Sequence, residues 1–569
     1  MSSRHLTALV PWLLFLAQTG NAYAADTITA PPGRFHVDQV LHLIVTDLGV
    51  EQVNTQQPGL KSTFGADAWY AFNPPVAEVA LGSAFPVTAA DGTPFQLFFT
   101  ALPLIGITTT APIVDEPKVP GAFILSDGSG LLTQASLGIE FRGSSSQFLP
   151  KLSFLIEFRS DTAWEEETDV ELLGMRNDDD WNLQALYNEP LRLRSVVNNR
   201  LWRMIHTPYY QFIEPDAVTG VSMQHAELFV NGSYRGIYAV SERVDRKQLQ
   251  LKDYNGTIRG ELFKGVSWGA STFSEAPPYN NTNDIWSGFE HEYPKEVTDW
   301  SSLHAFVAFV VNASTTEFLN QYPAQFEQDN AVDYFLFLNL LWATDNTGKN
   351  IYVARYDAGT PYFYVPYDLD GTFGVMWDGA QQNITDSLLT NGFYDRLLHD
   401  CGPGGFMERL QQRWNTLRTD IITQDHLTGL FAQEHNRLVA NGAYTREMLA
   451  WPDYAHDTGQ LTYLSNWLSA HLAFLDARFN APCDPVGISE NSAPICTFQP
   501  NPATDRITVV LTDESPATFN LTDGMGRTVL QQALRNGRNT ISLEHLSGGL
   551  YLVRVAQHGR ATTGRLVIN

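Results

Sequence analysis

The densest set of residues able to do chemistry is Asp345-Asn-Thr-Gly-Lys-Asn350, followed after a hairpin-like stretch by Asp368-Leu-Asp370-Gly371. Phosphoryl transfer asks little covalent help of a protein. It needs an acid to orient the attacking hydroxyl, and carboxylate and amide oxygens to hold Mg2+ on the phosphates. An Asp, an Asn five residues later and an Asp after the next hairpin follow the order used by kinase-type sites. Turns ask for the same residue types, so spacing alone leaves both readings open. A second stretch, Arg142-Gly143-Ser144-Ser145-Ser146, lies between two strand-like runs, with Lys151 opening the second. Backbone N–H groups in such a turn can cradle a phosphate, and a Lys can pair with it. An ordinary hairpin is the competing reading of these residues.

The elements that must hold these groups are legible in part. Residues 25–104 read as an all-β region, with runs such as 40–46 and 94–100 between Gly, Pro and Asp clusters. From 105 to 265 the chain stays strand-rich, with helical spacing only over Leu191–Ile205. Asn231-Gly232 between two apolar runs predicts a tight hairpin, because this pair supplies the positive φ angles of a type I′ turn. Beyond 298 helices dominate, with candidates at 300–319, 331–343, 405–423, 426–440 and 459–479. One β segment interrupts them, Ile351–Val353 and Tyr362–Val365 joined through Asp357–Thr360. Residues 481–499 read as a Pro/Ser/Asn linker and 500–569 as a small β-sandwich. A β-rich lobe followed by a helix-rich lobe makes a cleft, one arrangement for holding a ligand. The fold class expected is therefore α+β.

The first residues run from Arg4 and His5 into an apolar stretch, Leu6–Ala17, then Ala22-Tyr23-Ala24. This reads as a secretory signal over residues 1–24, too short to span a bilayer. No later stretch is long and apolar enough to span. The formal net charge of −26 argues against nucleic-acid and anionic-membrane partners and suits divalent cations. Of the three cysteines, Cys483 and Cys496 are placed to bridge once the chain is exported.

A longer string of motifs makes the middle of the chain specific. It runs Asp115–Pro120, Arg142–Gln147, Pro150-Lys151, Leu172–Met175, Asp180-Trp181, Glu227–Gly232, Tyr234–Tyr238, Tyr293–Lys295, Asp345, Asn350 and Tyr367–Asp370. In this order it resembles the CotH (spore-coat protein H) kinases, a family of atypical secreted or spore-associated protein kinases, over about residues 103–378 and the helices to 480. The resemblance implies a bilobal kinase-like domain over 105–480 that uses ATP and Mg2+, with Mn2+ as an alternative metal. Asp345 would be catalytic, and Asn350, Asp368 and Asp370 would hold metal. Lys151, Glu242, Ser144 and Ser145 would contact the nucleotide, and Arg194 would either bind its phosphate or pair with an acid. The chain departs from the family pattern at Leu152, where a second Lys is usual, at Tyr367 for Trp, and at Ser195 for Asn. The tail motifs Pro500–Asp505, Asp523–Arg527 and Leu546–Val553 resemble the C-terminal sorting domain of the type IX secretion system of the Bacteroidota. Together they imply a cell-surface or secreted protein, the secretion machinery as one partner and an envelope or extracellular protein as substrate.

Overall fold

The computed structural model describes residues 26–143, 145–160, 166–483, 496–511, 517–523, 527–557 and 560–568, and the expected signal peptide lies outside them. The fold mixes helices and sheets in two compact units, residues 1–482 and 483–569.

The first unit opens with a seven-stranded mixed sheet built from Thr27–Phe99. One short helix, Val50–Gln56, breaks the expected all-β reading; it is polar and buries only Val53. The strand expected from Val40 begins later, at Leu43. Asp38 Oδ1 accepts from the amides of Val40 and Leu41, both at 2.8 Å, and turns residues 39–41 out of the sheet.

Seven strands then close into a barrel. Around it they run Leu132–Arg142, Ser153–Arg159, Asp180–Gln184, Ser233–Ser241, Met223–Val230, Leu104–Thr109 and Val119–Ser126. Each contributes apolar residues two apart to one core, among them Leu137 and Ile139, Ile156 and Phe158, Trp181 and Leu183. Side chains alternate across a strand, so this period lines the barrel interior. Asn231 and Gly232 take φ of 51° and 76°, as the expected hairpin turn requires.

The helix expected from Leu191 begins at Arg194. Arg192 sits at φ 62°, and the Glu189 carboxylate accepts from the amides of Leu191, Leu193 and Arg194, which ties off the chain before the first turn. A five-stranded antiparallel sheet follows, ordered Ile285–Trp286, Phe289–Tyr293, Glu261–Gly265, Ile351–Arg355, Tyr362–Pro366. The helix expected over 300–319 is two, Ser301–Asn312 and Thr315–Gln325, because the Ser314 hydroxyl caps the second by accepting from Glu317 N at 3.2 Å. Helices Gln328–Leu341, Phe406–Leu417, Gln424–Ala440 and Gly459–Phe479 fall near their expected places, whereas Gly392–Leu397 and Ala443–Ala450 had no clear sequence signal. Among the described residues, no helix is long and apolar enough to cross a membrane.

In the second unit, three- and four-stranded sheets share one core that includes Ile507, Phe519, Val553 and Leu566. Cys496–Gln499, read from sequence as linker, is a strand paired with Arg506–Leu511. The expected Cys483–Cys496 bridge does not form: Cys401 and Cys483 are the disulfide-bonded cysteines, and Cys496 is a buried free thiol.

Candidate active site

The helix Gln328–Leu341 is buried on nearly every side and stops at Trp342, whose φ of 50° turns its N–H back to Asn339 O. One short turn, Thr344–Thr347, then carries Asp345. The hairpin that follows pairs Ile351 with Pro366, so the residues flanking this pair, Asn350 and Tyr367-Asp368, lie at the same end of it. Asn346 ties that end together. Its side-chain amide donates to Asn350 O at 2.8 Å and to Tyr367 O at 2.7 Å. Asn350 and Asp368 both adopt left-handed backbone, φ 54° and 53°, and Asn350 N donates to Gly265 O at 2.9 Å.

Asp345, Asn350, Asp368 and Asp370 line one cavity of about 540 Å3. Arg142, Arg243, Lys264 and Lys349 line it as well, with Glu290 and Glu292 beside Lys264. The volume is that of an ordinary small-molecule site. The acids feel one another. Burial raises Asp345, Asp368 adds to the rise, and Lys349 at 3.9 Å offsets it. Asp368 faces open solvent in the cavity but lies deep in the protein; that depth raises its carboxyl against the pull of Arg142, Lys349 and Lys264. Asp370 is pushed well above the usual carboxylate range by burial and then by Asp368. The cavity therefore pairs crowded acids with cations able to meet an anionic ligand.

The other expected residues fall in different places. Lys151 borders the cavity, but its ammonium donates to both Glu447 carboxylate oxygens, at 2.7 and 3.0 Å, and to Ile237 O at 2.6 Å. Those three bonds use its three protons. Burial draws the amine down to about 7, against the opposing charge of Glu447. Arg194 stands outside the cavity lining, fully buried, donating to Thr372 O at 3.1 Å and paired with Glu189. It grips the acidic loop from behind, beside Asn198, which donates to Leu369 O at 2.9 Å. Glu242 is also outside: its carboxylate accepts from Ser222 N at 2.8 Å, Arg176 N at 3.1 Å and Gln248 at 3.2 Å. Its neighbours Arg243 and Val244 reach the cavity instead. Ser144 lies outside the described residues; Ser145 opens a short turn, Ser145–Phe148, of which Ser146 lines the cavity.

Sequence reasoning placed Arg142 in a candidate phosphate turn without a role for its side chain, and assigned none to Arg243, Lys264, Lys349 or Asn346. Lys349 could have been found between Asp345 and Asn350. Lys264 and Arg243 carry no local signal, and Asn346 reads as one more turn residue. Tyr367, at a position of Trp in the family pattern, is also more than a spacer, since Arg142 donates to its hydroxyl across the cavity.

The described residues form an α+β fold whose cavity gathers three carboxylates and an amide beside four cationic side chains. The family model described as CotH kinase protein matches residues 139–475, more than half of the chain, and the protein belongs to that family. The model for the secretion system C-terminal sorting domain matches residues 497–569, so the protein is a type IX secretion cargo bound for the cell surface or the extracellular space. No curated protein matches the chain.

Proposed function

We propose that the protein is an exported, divalent-metal-dependent protein kinase that moves the γ-phosphate of ATP to a Ser or Thr hydroxyl of an envelope or extracellular protein. The observation that carries this reading is the convergence of Asp345, Asn350, Asp368 and Asp370 on one cavity with Arg142, Lys264 and Lys349. The donor set suits Mg2+, or Mn2+, because it offers hard oxygens from one or two carboxylates and an amide, and crowding among those carboxylates is what a cation relieves. Bound there, the metal would neutralise phosphate oxygens. Asp345 orients the substrate hydroxyl and takes its proton as the oxygen bonds to phosphorus and ADP leaves. Arg142, Lys264 and Lys349 meet the phosphate charge. Burial keeps the Asp345 carboxyl a better base than an exposed Asp.

Incubation with γ-labelled ATP and Mg2+ tests the proposal. Wild type should incorporate label into protein, and Asp345→Ala should not, with an unchanged melting temperature. Equal labelling by the variant would refute the assignment. Mass spectrometry of the product separates phosphate from AMP, which the same fold and metal could also transfer.

A non-catalytic surface module is the second reading. Leu152 and the commitment of the Lys151 ammonium to Glu447 favour it. Absence of any thermal stabilisation by ATP with Mg2+ would select it over the kinase.

A further inference from the structure

The helix Arg194–Ile205 has two working faces. Ser195 lines the active-site cavity, while Val196, Arg200, Arg203 and Met204 line a second cavity of about 530 Å3. Its other walls are Val221–Gln224, leading into a barrel strand, and Glu434 and Arg437 of helix Gln424–Ala440. Three arginines thus meet one acid. Glu434 is spent on Arg437, at 2.6 Å, and on His225 Nδ1, also at 2.6 Å. Among the described residues, Arg200 and Arg203 have no ion-pair or side-chain hydrogen-bond partner, in a chain of 62 acids and 36 Lys and Arg. They are exposed and lie one helical turn apart, a spacing of roughly 5–6 Å that lets two guanidinium forks close on one or two carboxylates. The floor beneath them is apolar. Val196, Val221 and Met223 are buried, and Met204, 39 % exposed, stands at the rim. Methionine is flexible and polarisable, which suits a surface that must fit apolar side chains of several shapes. The volume exceeds what a lone inorganic anion needs and fits a few side chains.

We infer that this second cavity docks an acidic peptide segment carrying an apolar side chain, its carboxylates on Arg200 and Arg203 and its apolar group on Met204, Val221 and Met223. That the segment belongs to the protein phosphorylated in the neighbouring cavity rests on the kinase reading; the binding does not. Charge complementarity selects the occupant, because two uncompensated guanidiniums over an apolar floor match an acid beside a hydrophobe and repel a basic segment.

The probe is a short fluorescein-labelled peptide of Glu and Leu without Ser, Thr or Tyr, its anisotropy followed on titration with the full chain. Saturable binding is expected, weakening as salt is raised, and absent for the same peptide with Gln in place of Glu. Arg200→Gln/Arg203→Gln should weaken it about tenfold or more, with melting temperature unchanged because both side chains are exposed. Asp345→Ala should bind as wild type. No saturable binding to the wild-type chain, binding retained by the double variant, or binding lost with Asp345→Ala would each overturn the proposal. The last would move the peptide to the active-site cavity. Absence of peptide binding to the wild-type chain, with its γ-phosphate transfer present, would sink this inference alone; peptide binding to a wild-type chain that transfers no phosphate would sink only the kinase reading.

Discussion

Lys151 and Glu447 show how much of the centre of this protein is a charge problem. Glu447 holds Lys151, accepts from Arg192 Nε at 3.2 Å and from Ile237 N at 2.7 Å, all within buried surroundings. Removing one partner of a buried pair strands the other, at a cost of roughly 3–5 kcal/mol. Glu447→Gln leaves two cations without their acid, so it should destabilise more than Lys151→Met in chemical denaturation, and the two should not add. Gly236 belongs to the same knot. At φ 89° it faces Glu447 so closely that a Cβ would stand 1.9 Å from Oε2, so Gly236→Ala must displace the carboxylate. Asn346 is the equivalent residue at the candidate site. Asn346→Ala frees the carbonyls of Asn350 and Tyr367 and should cost about 1–3 kcal/mol. On the kinase reading it should also raise the metal concentration needed for activity more than it lowers activity at saturating metal, a split that a purely structural residue would not produce.

At the scale of elements, the helix Gln424–Ala440 is fastened to the barrel through Glu434 and His225. Burial alone would raise the Glu434 carboxyl, but hydrogen bonding and charge from His225, then Arg437, bring it from 4.5 down to about 2. A carboxylate depressed on folding contributes stability at pH above its unfolded value and loses it as pH falls through the folded one. Glu434 should therefore stabilise the fold above pH 4.5 by an amount on the order of 3 kcal/mol, and that contribution should vanish between 4.5 and about 2. Urea unfolding against pH checks this: the difference between wild type and Glu434→Gln should shrink across that interval. A constant difference would show that packing, not charge, fastens the helix. The helix Arg194–Ile205 works differently, holding the acidic loop by backbone carbonyls of Leu369 and Thr372 while its own start is fixed by Glu189.

At the scale of the molecule, the sorting domain has its own core and the kinase-family unit has several. Deleting residues 497–569 should leave the first unit folded and retained inside the outer membrane, as cell fractionation and limited proteolysis would show. Retention of surface display by the truncated chain would count against the tail as the export address. On the kinase reading, millimolar ATP with Mg2+ should stabilise the protein by the ~2–3 kcal/mol expected when ligand is near a hundredfold its dissociation constant, read as a higher melting temperature that EDTA removes. The amino-acid sequence alone determined the alternating strands, the Asn231-Gly232 turn, most long helices and the Asp345, Asn350, Asp368 set, because these are written in local spacing and in ordered motifs. Tertiary structure alone decided barrel closure, since Leu104–Thr109 runs beside Met223–Val230, far away in the chain. It also decided that Arg194 and Glu242 serve as buried supports, that Lys264 and Arg243 line the cavity, and that Cys483 is bridged while Cys496 is free. The reason is common to all of these: a side chain's partner is set by which distant surface folding brings opposite it, and no window of neighbouring residues carries that information.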